Sequence, residues 1–450
     1  MKVLIYIRGC IFLLSFLLGN IFVSYAQDAD FAREQRFYEW FVAGQGDSIH
    51  AALNKEAQGK LSPAIFNDTF RQTEQTFGKL KSKGEWKTET VQGITLYYSD
   101  LELERFRLRL LLAFDADGGM NTIRLVPALA ATAVSQTVAY DKTKMLEREI
   151  TVGAEGFQLP GILTLPKSAT EPGANKVPCV ILVHGSGPND RDETIGPNKP
   201  FRDLDWGLAE QGIAVIRYDK RTKVYGAKCV PAGRELDYDT EAVDDAVAVI
   251  SQAKTLQEIA ADSIYIVGHS LGGTLAPRIA EHSKRLAGII LLAGLARPFE
   301  DALEEQSTYI LSLTDTSADA RKRLAELKLQ LANVKKLGTE GFNEKTPLPL
   351  NLPRSYWAFA NAYKPVSVAA KLKLPIFVLQ GERDYQVTLE DFELWRRGLS
   401  KHKNASFKSY PKLNHLFQEG NGRATPGEYS QASPVASYLI DDIASFIKKK

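Results

Sequence analysis

At 450 residues the chain is too long for one ordinary domain, and its make-up, 44% hydrophobic and 24% charged, is that of a globular protein rather than a disordered or fibrous one. The formal charge of +2 falls to zero when the first 26 residues, which hold Lys2 and Arg8 and no acid, are set aside, so no basic footprint for nucleic acid is visible.

Residues 1–26 read as a secretory signal peptide. Lys2 and Arg8 come first, an almost unbroken apolar run from Cys10 to Val23 follows, and Ser24-Tyr25-Ala26 forms a small-x-small cleavage site. The mature protein is then expected to begin near Gln27, to be periplasmic or extracellular, and to keep no stable membrane insertion. A retained anchor is the alternative, but the run is short and Asn20 interrupts it.

Residues 27–128 read as a small α+β domain. Apolar residues three and four apart in FAREQRFYEWFVAG (31–44) and LSPAIFNDTFRQTEQTFGKLK (61–81) predict helices up to about residue 84. From Trp86 the pattern alternates, which predicts a meander with a hairpin turn at Asp117-Gly118-Gly119. Residues 129–144 are small and polar enough for a linker.

From residue 145 to 450 the order changes again. LEREITVGAEGFQLPGILTLP (146–166) reads as an antiparallel pair, after which apolar runs such as VPCVILVHG, IAVIRYDKR, SIYIVGHS and LAGIILLAG alternate with amphipathic helical segments. That alternation predicts a mostly parallel sheet covered by helices on both faces. It breaks at about 296–365, a charged and aromatic stretch too long for a connection and expected to be an inserted helical cap, then resumes through LPIFVLQG and ASFKSYPKLNH.

Beyond the signal only Cys179 and Cys229 remain, and export would permit a bridge between them, although Cys179 sits in a run that looks like a buried strand. Two isolated cysteines and six scattered histidines offer no metal-ligand spacing, so no metal site is expected.

The chemistry concentrates in Gly268-His269-Ser270-Leu271-Gly272, a G-x-S-x-G pattern at the end of an apolar run and the start of a helix. A serine thrust out of a strained strand-to-helix turn leaves no room for neighbouring side chains, hence the glycines. A serine beside glycines at a helix start can equally be a cap. Ser270 needs a base and the base needs an acid. Asp384 follows LPIFVLQG and His415 follows the final strand, in the chain order Ser, Asp, His. Glu382 or Asp391 could serve as the acid instead, whereas His50, His282 and His402 lie where a surface role fits better. The oxyanion that forms on an attacked carbonyl needs two donors. The backbone N–H of Leu271 is one, and the N–H of Ser186, in the glycine loop HGSGPNDRDE, is the expected second, with His184 bracing that loop.

Together HGSGPNDRDETIGPNKPFRDL, GIAVIRYDKRT, VGHSLGG, GERDYQV and NH resemble the α/β-hydrolase superfamily and, more narrowly, its bacterial esterase branch related to the serine aminopeptidases. The resemblance covers about residues 145–450. It implies an α/β-hydrolase fold and a cofactor-free carboxylesterase-type serine hydrolase with Ser270, Asp384 and His415 on the triad positions. Residues 27 to about 128 are similar to a small domain of unknown function that precedes the hydrolase in some relatives.

The substrate is expected to be a small-molecule ester, with Asn189, Arg191 and Trp357 as possible contacts. Charges in the NDRDE and RYDKRTK stretches more often brace loops, and Trp357, Phe359 and Tyr363 could equally pack a helix. Two rivals stand beside an esterase. One is a peptidase that holds a free amino terminus with Glu300, Asp301, Glu304 and Glu305 of the cap; the other is a non-catalytic binding protein on a hydrolase scaffold.

Overall fold

The computed structural model describes residues 31–449 except 60, 92–93, 105–106, 129–139, 284 and 315–317. The signal-peptide reading, and most of the linker reading, lie outside the described residues. The chain divides into two compact units, residues 1–133 with 310–323, and residues 134–309 with 324–450.

The first unit holds an antiparallel sheet of β1 (Leu80–Lys83), β2 (Lys87–Val91), β3 (Ile94–Leu103), β4 (Arg107–Phe114) and β5 (Met120–Pro127), in which β3 pairs with β1, β2 and β4, and β4 with β5. Strand β4 shows how the sequence makes it: Leu108, Leu110 and Leu112 alternate inward, where they meet Phe37 and Phe41, one turn apart on the helix Ala32–Val42. The predicted hairpin turn is there, with Gly118 at φ 83°. One expectation fails. The helical reading through Lys81 stops at Phe77, because Gly78 takes φ 86° and reverses the chain, and Leu80–Lys83 becomes a strand pairing with Leu101–Leu103.

The second unit is built on a sheet of β6 (Met145–Val152), β7 (Leu159–Pro166), β8 (Val177–Val183), β9 (Ala214–Tyr218), β10 (Ile259–His269), β11 (Gly288–Leu292), β12 (Ile376–Gly381) and β13 (Ala405–Tyr410). Its order is β13-β12-β11-β10-β8-β9-β7-β6. The β6–β7 and β7–β9 pairs are antiparallel and all others parallel. The apolar runs are explained by their two destinations. Along β8, Cys179, Ile181 and Val183 enter one core while Val180 and Leu182 enter the other; β10, β11 and β12 split in the same way. This is the mostly parallel sheet that the alternation predicts, in the α/β-hydrolase architecture that the resemblance implies. Cys179 and Cys229 are free and buried, Cys179 because β8 passes between two helical layers.

The interrupted stretch contains the helices Phe299–Thr314, Ala318–Val334 and Arg354–Ala362. One of the amphipathic segments opens unusually: Asp239–Val243 is a π-helical turn, and the α-helix proper starts at Asp244. Among the described residues no helix is long and apolar enough to cross a membrane.

Behind the end of β9, the Arg221 guanidinium is 1% exposed and grips Asp245 with two bonds of 2.5 and 2.6 Å. A buried charge stripped of its partner is costly. Arg221→Met should therefore lower unfolding free energy by about 3–5 kcal/mol in urea titrations, and Arg221→Met/Asp245→Asn should recover much of that loss. A single-variant loss under about 1 kcal/mol would show that the pair is not what holds this loop.

Candidate active site

Ser270 follows β10 and precedes the helix Leu271–His282 with φ 53° and ψ −116°, a conformation that residues with a Cβ seldom adopt. The turn is held by the Ser270 N–H, which donates to the Leu292 carbonyl at 2.8 Å. It is also held by its glycines: a Cβ on Gly268 would overlap the backbone of Gly272, and a Cβ on Gly272 would overlap the Val183 carbonyl. Because the Ser270 side chain makes no capping hydrogen bond to the helix it precedes, the cap reading fails. Ser270 is partly exposed, whereas the strand residues Ile264–His269 before it are buried.

Asp384 and His415 arrive from the carboxyl ends of β12 and β13. His415 Nδ1 lies 2.6 Å from Asp384 Oδ2. The other carboxylate oxygen of Asp384 accepts from the N–H groups of Gln386 at 2.7 Å and Val387 at 3.1 Å, and the Gln380 amide donates to Oδ2 at 3.3 Å. Nδ1 is therefore committed to the acid, which leaves Nε2 as the ring atom free for proton transfer. No hydrogen bond joins Nε2 to Ser270 among the described residues. The alternative acids are placed elsewhere: Glu382 accepts from the Ser409 hydroxyl, and Asp391 is buried where it pins Ala296 and Arg297 at the start of the cap.

The glycine loop lies against Ser270. A Cβ on Gly185 would come 3.2 Å from the Cβ of Ser270. Ser186 is exposed, and neither its N–H nor that of Leu271 has an acceptor within the chain among the described residues. His184 is buried against Phe201 and Tyr218, and burial pulls its imidazole down to about 4, so it stays neutral.

The expected substrate contacts do other work. Asn189 donates to the carbonyls of Gly185 and Ser186, both at 3.1 Å, and Arg191 is bidentate to Asp219 at 3.0 Å, so both brace the loop. Trp357 is corrected outright: it is 0% exposed, stacked on Phe299 at 5.1 Å with its N–H on the Pro349 carbonyl, and packs the cap interior.

The sequence reading missed what lies beneath the site. Buried Glu193 accepts from the Gly185 N–H at 2.6 Å with one oxygen and meets His269 Nδ1 at 2.8 Å with the other, while His269 Nε2 donates to the His415 carbonyl at 2.9 Å. Burial pulls the His269 ring down, but the charge and hydrogen bond of Glu193, the His415 carbonyl and the charge of Asp384 outweigh it and hold the ring above its ordinary value. Burial pushes the Glu193 carboxyl up, and His269, His184 and the Gly185 N–H outweigh that in turn, keeping it below the usual carboxylate range. Both residues stood in quoted motifs; nothing in their spacing announced that 76 residues of chain would close into a pair.

Residues 179–421 match the family described as serine aminopeptidase, S33. The chain is 31% identical to Esterase EstD of Thermotoga maritima over 98% of its own length and 100% of that protein's. Among solved structures, Est1E from Butyrivibrio proteoclasticus aligns at 17% identity over 67% of this chain and 99% of its own, TM-score 0.43. An acylaminoacyl peptidase aligns at 13% identity over 83% of this chain and 50% of its own, TM-score 0.45. With a family match across more than half of its 450 residues and a relative similar from end to end, the chain belongs to the serine aminopeptidase S33 family of α/β-hydrolases.

Proposed function

We propose that the protein is a serine esterase that cleaves small carboxylic esters through an acyl-enzyme on Ser270. The observation that carries the reading is the Asp384–His415 bond of 2.6 Å, brought by two later strand ends to the face where Ser270 is held out on its strained turn. Asp384 orients His415, and His415 Nε2 takes the Ser270 proton as the hydroxyl oxygen bonds to the ester carbon. The carbonyl electron pair moves onto oxygen, where the N–H groups of Ser186 and Leu271 receive it. Collapse breaks the bond to the alcohol, which leaves with the proton from His415. Water, deprotonated by the same ring, then releases the acid and restores Ser270.

Ester rather than peptide is favoured by the full-length similarity to an esterase and by the state of the cap acids. Asp301 is paired with Lys335 at 2.5 Å, Glu304 with Lys328 at 3.1 Å, and Glu305 with Arg297 and Arg423. Glu300 is 6% exposed, so none of the four acids is both exposed and unpaired, as a site for an amino terminus would need.

A fluorophosphonate probe is expected to label the wild type and not Ser270→Ala, and p-nitrophenyl acetate or butyrate to be turned over where aminoacyl and prolyl nitroanilides are not. Nitroanilide turnover without ester turnover would make the protein a peptidase, and absence of labelling would make it a binding protein. Asp384→Asn, which keeps the shape and loses the charge that orients His415, should lower kcat by about 10⁴-fold with the fold intact by circular dichroism. We also propose export through the leader; mass spectrometry of the secreted protein should then find its first residue near Gln27, and a retained Met1 would contradict this.

A further inference from the structure

We propose that Lys220 is a positioning residue for the oxyanion site, whose ammonium holds and polarises the Gly185–Ser186 peptide so that the Ser186 N–H faces the developing negative charge. The inference rests on the esterase reading and adds to it a group outside the triad.

Lys220 follows β9 and is 2% exposed, yet its ammonium does not reach water-exposed acids. It donates to the Gly185 carbonyl at 2.8 Å and pairs with buried Glu241. Its own backbone N–H donates to the Asn189 carbonyl at 3.0 Å, and the Asn189 amide returns to the Gly185 carbonyl at 3.1 Å. A trans peptide is planar, with its C=O and N–H pointing opposite ways, so fixing the Gly185 oxygen fixes the direction of the Ser186 N–H. The preceding peptide is pinned as well, through the 2.6 Å bond from the Gly185 N–H to Glu193. Two successive peptide planes are thus set at the residue that lies against Ser270.

Direction is half of the effect. A cation on a carbonyl oxygen draws density out of the amide, and hydrogen bonds in a chain strengthen one another where water is excluded, so the Ser186 N–H becomes a better donor. Burying an ammonium for this purpose requires a counter-charge. Glu241 supplies it from the π-helical turn Asp239–Val243, and its carboxylate also faces the Tyr356 hydroxyl of the helix Arg354–Ala362. Turns of that kind are uncommon and recur at functional sites.

Lys220→Met alone would leave Glu241 buried without a partner, so the test uses Lys220→Met/Glu241→Gln beside Glu241→Gln. Kinetics on p-nitrophenyl butyrate are read together with inhibition by an arylboronic acid, whose tetrahedral adduct on Ser270 places an anionic oxygen in the oxyanion site. The double variant should fold, keep KM within about threefold, and lose about 10- to 100-fold in kcat, less than removal of a whole oxyanion donor. Boronate affinity should fall in parallel, and Glu241→Gln, which keeps the ammonium at the Gly185 carbonyl but strips its counter-charge, should lose less of both than the double variant. Unchanged kcat in the double variant, a loss confined to KM, or retained boronate affinity would overturn the proposal while leaving the esterase reading in place. A wild type inert to esters and to the fluorophosphonate probe would remove both.

Discussion

The structure of this site depends on one backbone constraint, the left-handed turn at Ser270. Holding a residue with a Cβ at φ 53° and ψ −116° costs on the order of 1–3 kcal/mol, and the surroundings are arranged to leave no cheaper choice. Leu292, at the end of β11, takes the Ser270 N–H. Gly268 and Gly272 allow the strand and helix to touch, while Gly273 and Gly294 allow the helix to reach the next strand end. The same closeness brings Gly185 up to the Cβ of Ser270, so one turn fixes the Ser270 side chain, the first N–H of the helix and the approach of the glycine loop.

Around that turn, polar groups are buried in an order that a stability argument does not explain. Arg217 alone meets Asp205, Asp192 and Glu147; Arg191 of the loop pairs with Asp219, Lys220 with Glu241 of the π-helical turn and Arg221 with Asp245 of the helix that follows it. Such networks add little net stability over apolar packing. What they do here is lock the segment 185–193 to the segment 217–221, two stretches that share the duty of holding the Gly185 peptide. Glu193 and His269 extend the lock to the backbone of His415. The Gly185 loop, the strand end before Ser270 and the backbone of His415 are therefore tied by buried hydrogen bonds rather than by loop packing.

Much of this was legible in the sequence, for physical reasons. Strands buried on both faces must be apolar throughout, so β8, β10, β11 and β12 announced a parallel sheet, and a parallel sheet places Ser270, Asp384 and His415 at one edge. What was not legible depended on long-range pairing. The charges of NDRDE and RYDKR were visible, but only the fold shows that they answer one another. Trp357 looked like a substrate contact because an aromatic side chain reads the same whether it lines a pocket or fills a core. The strand at Leu80 hid in a helical stretch because Gly78, the residue that ends the helix, was read as part of it.

The central claim is that Ser270 carries the acyl group during turnover. Acid quenching of the enzyme during steady hydrolysis of a slow p-nitrophenyl ester, followed by peptide mass spectrometry, tests it directly. The account predicts an adduct of the acyl mass on Ser270 that decays as substrate is consumed. Acylation of another residue, or ester turnover persisting in Ser270→Ala at the wild-type rate, would contradict it.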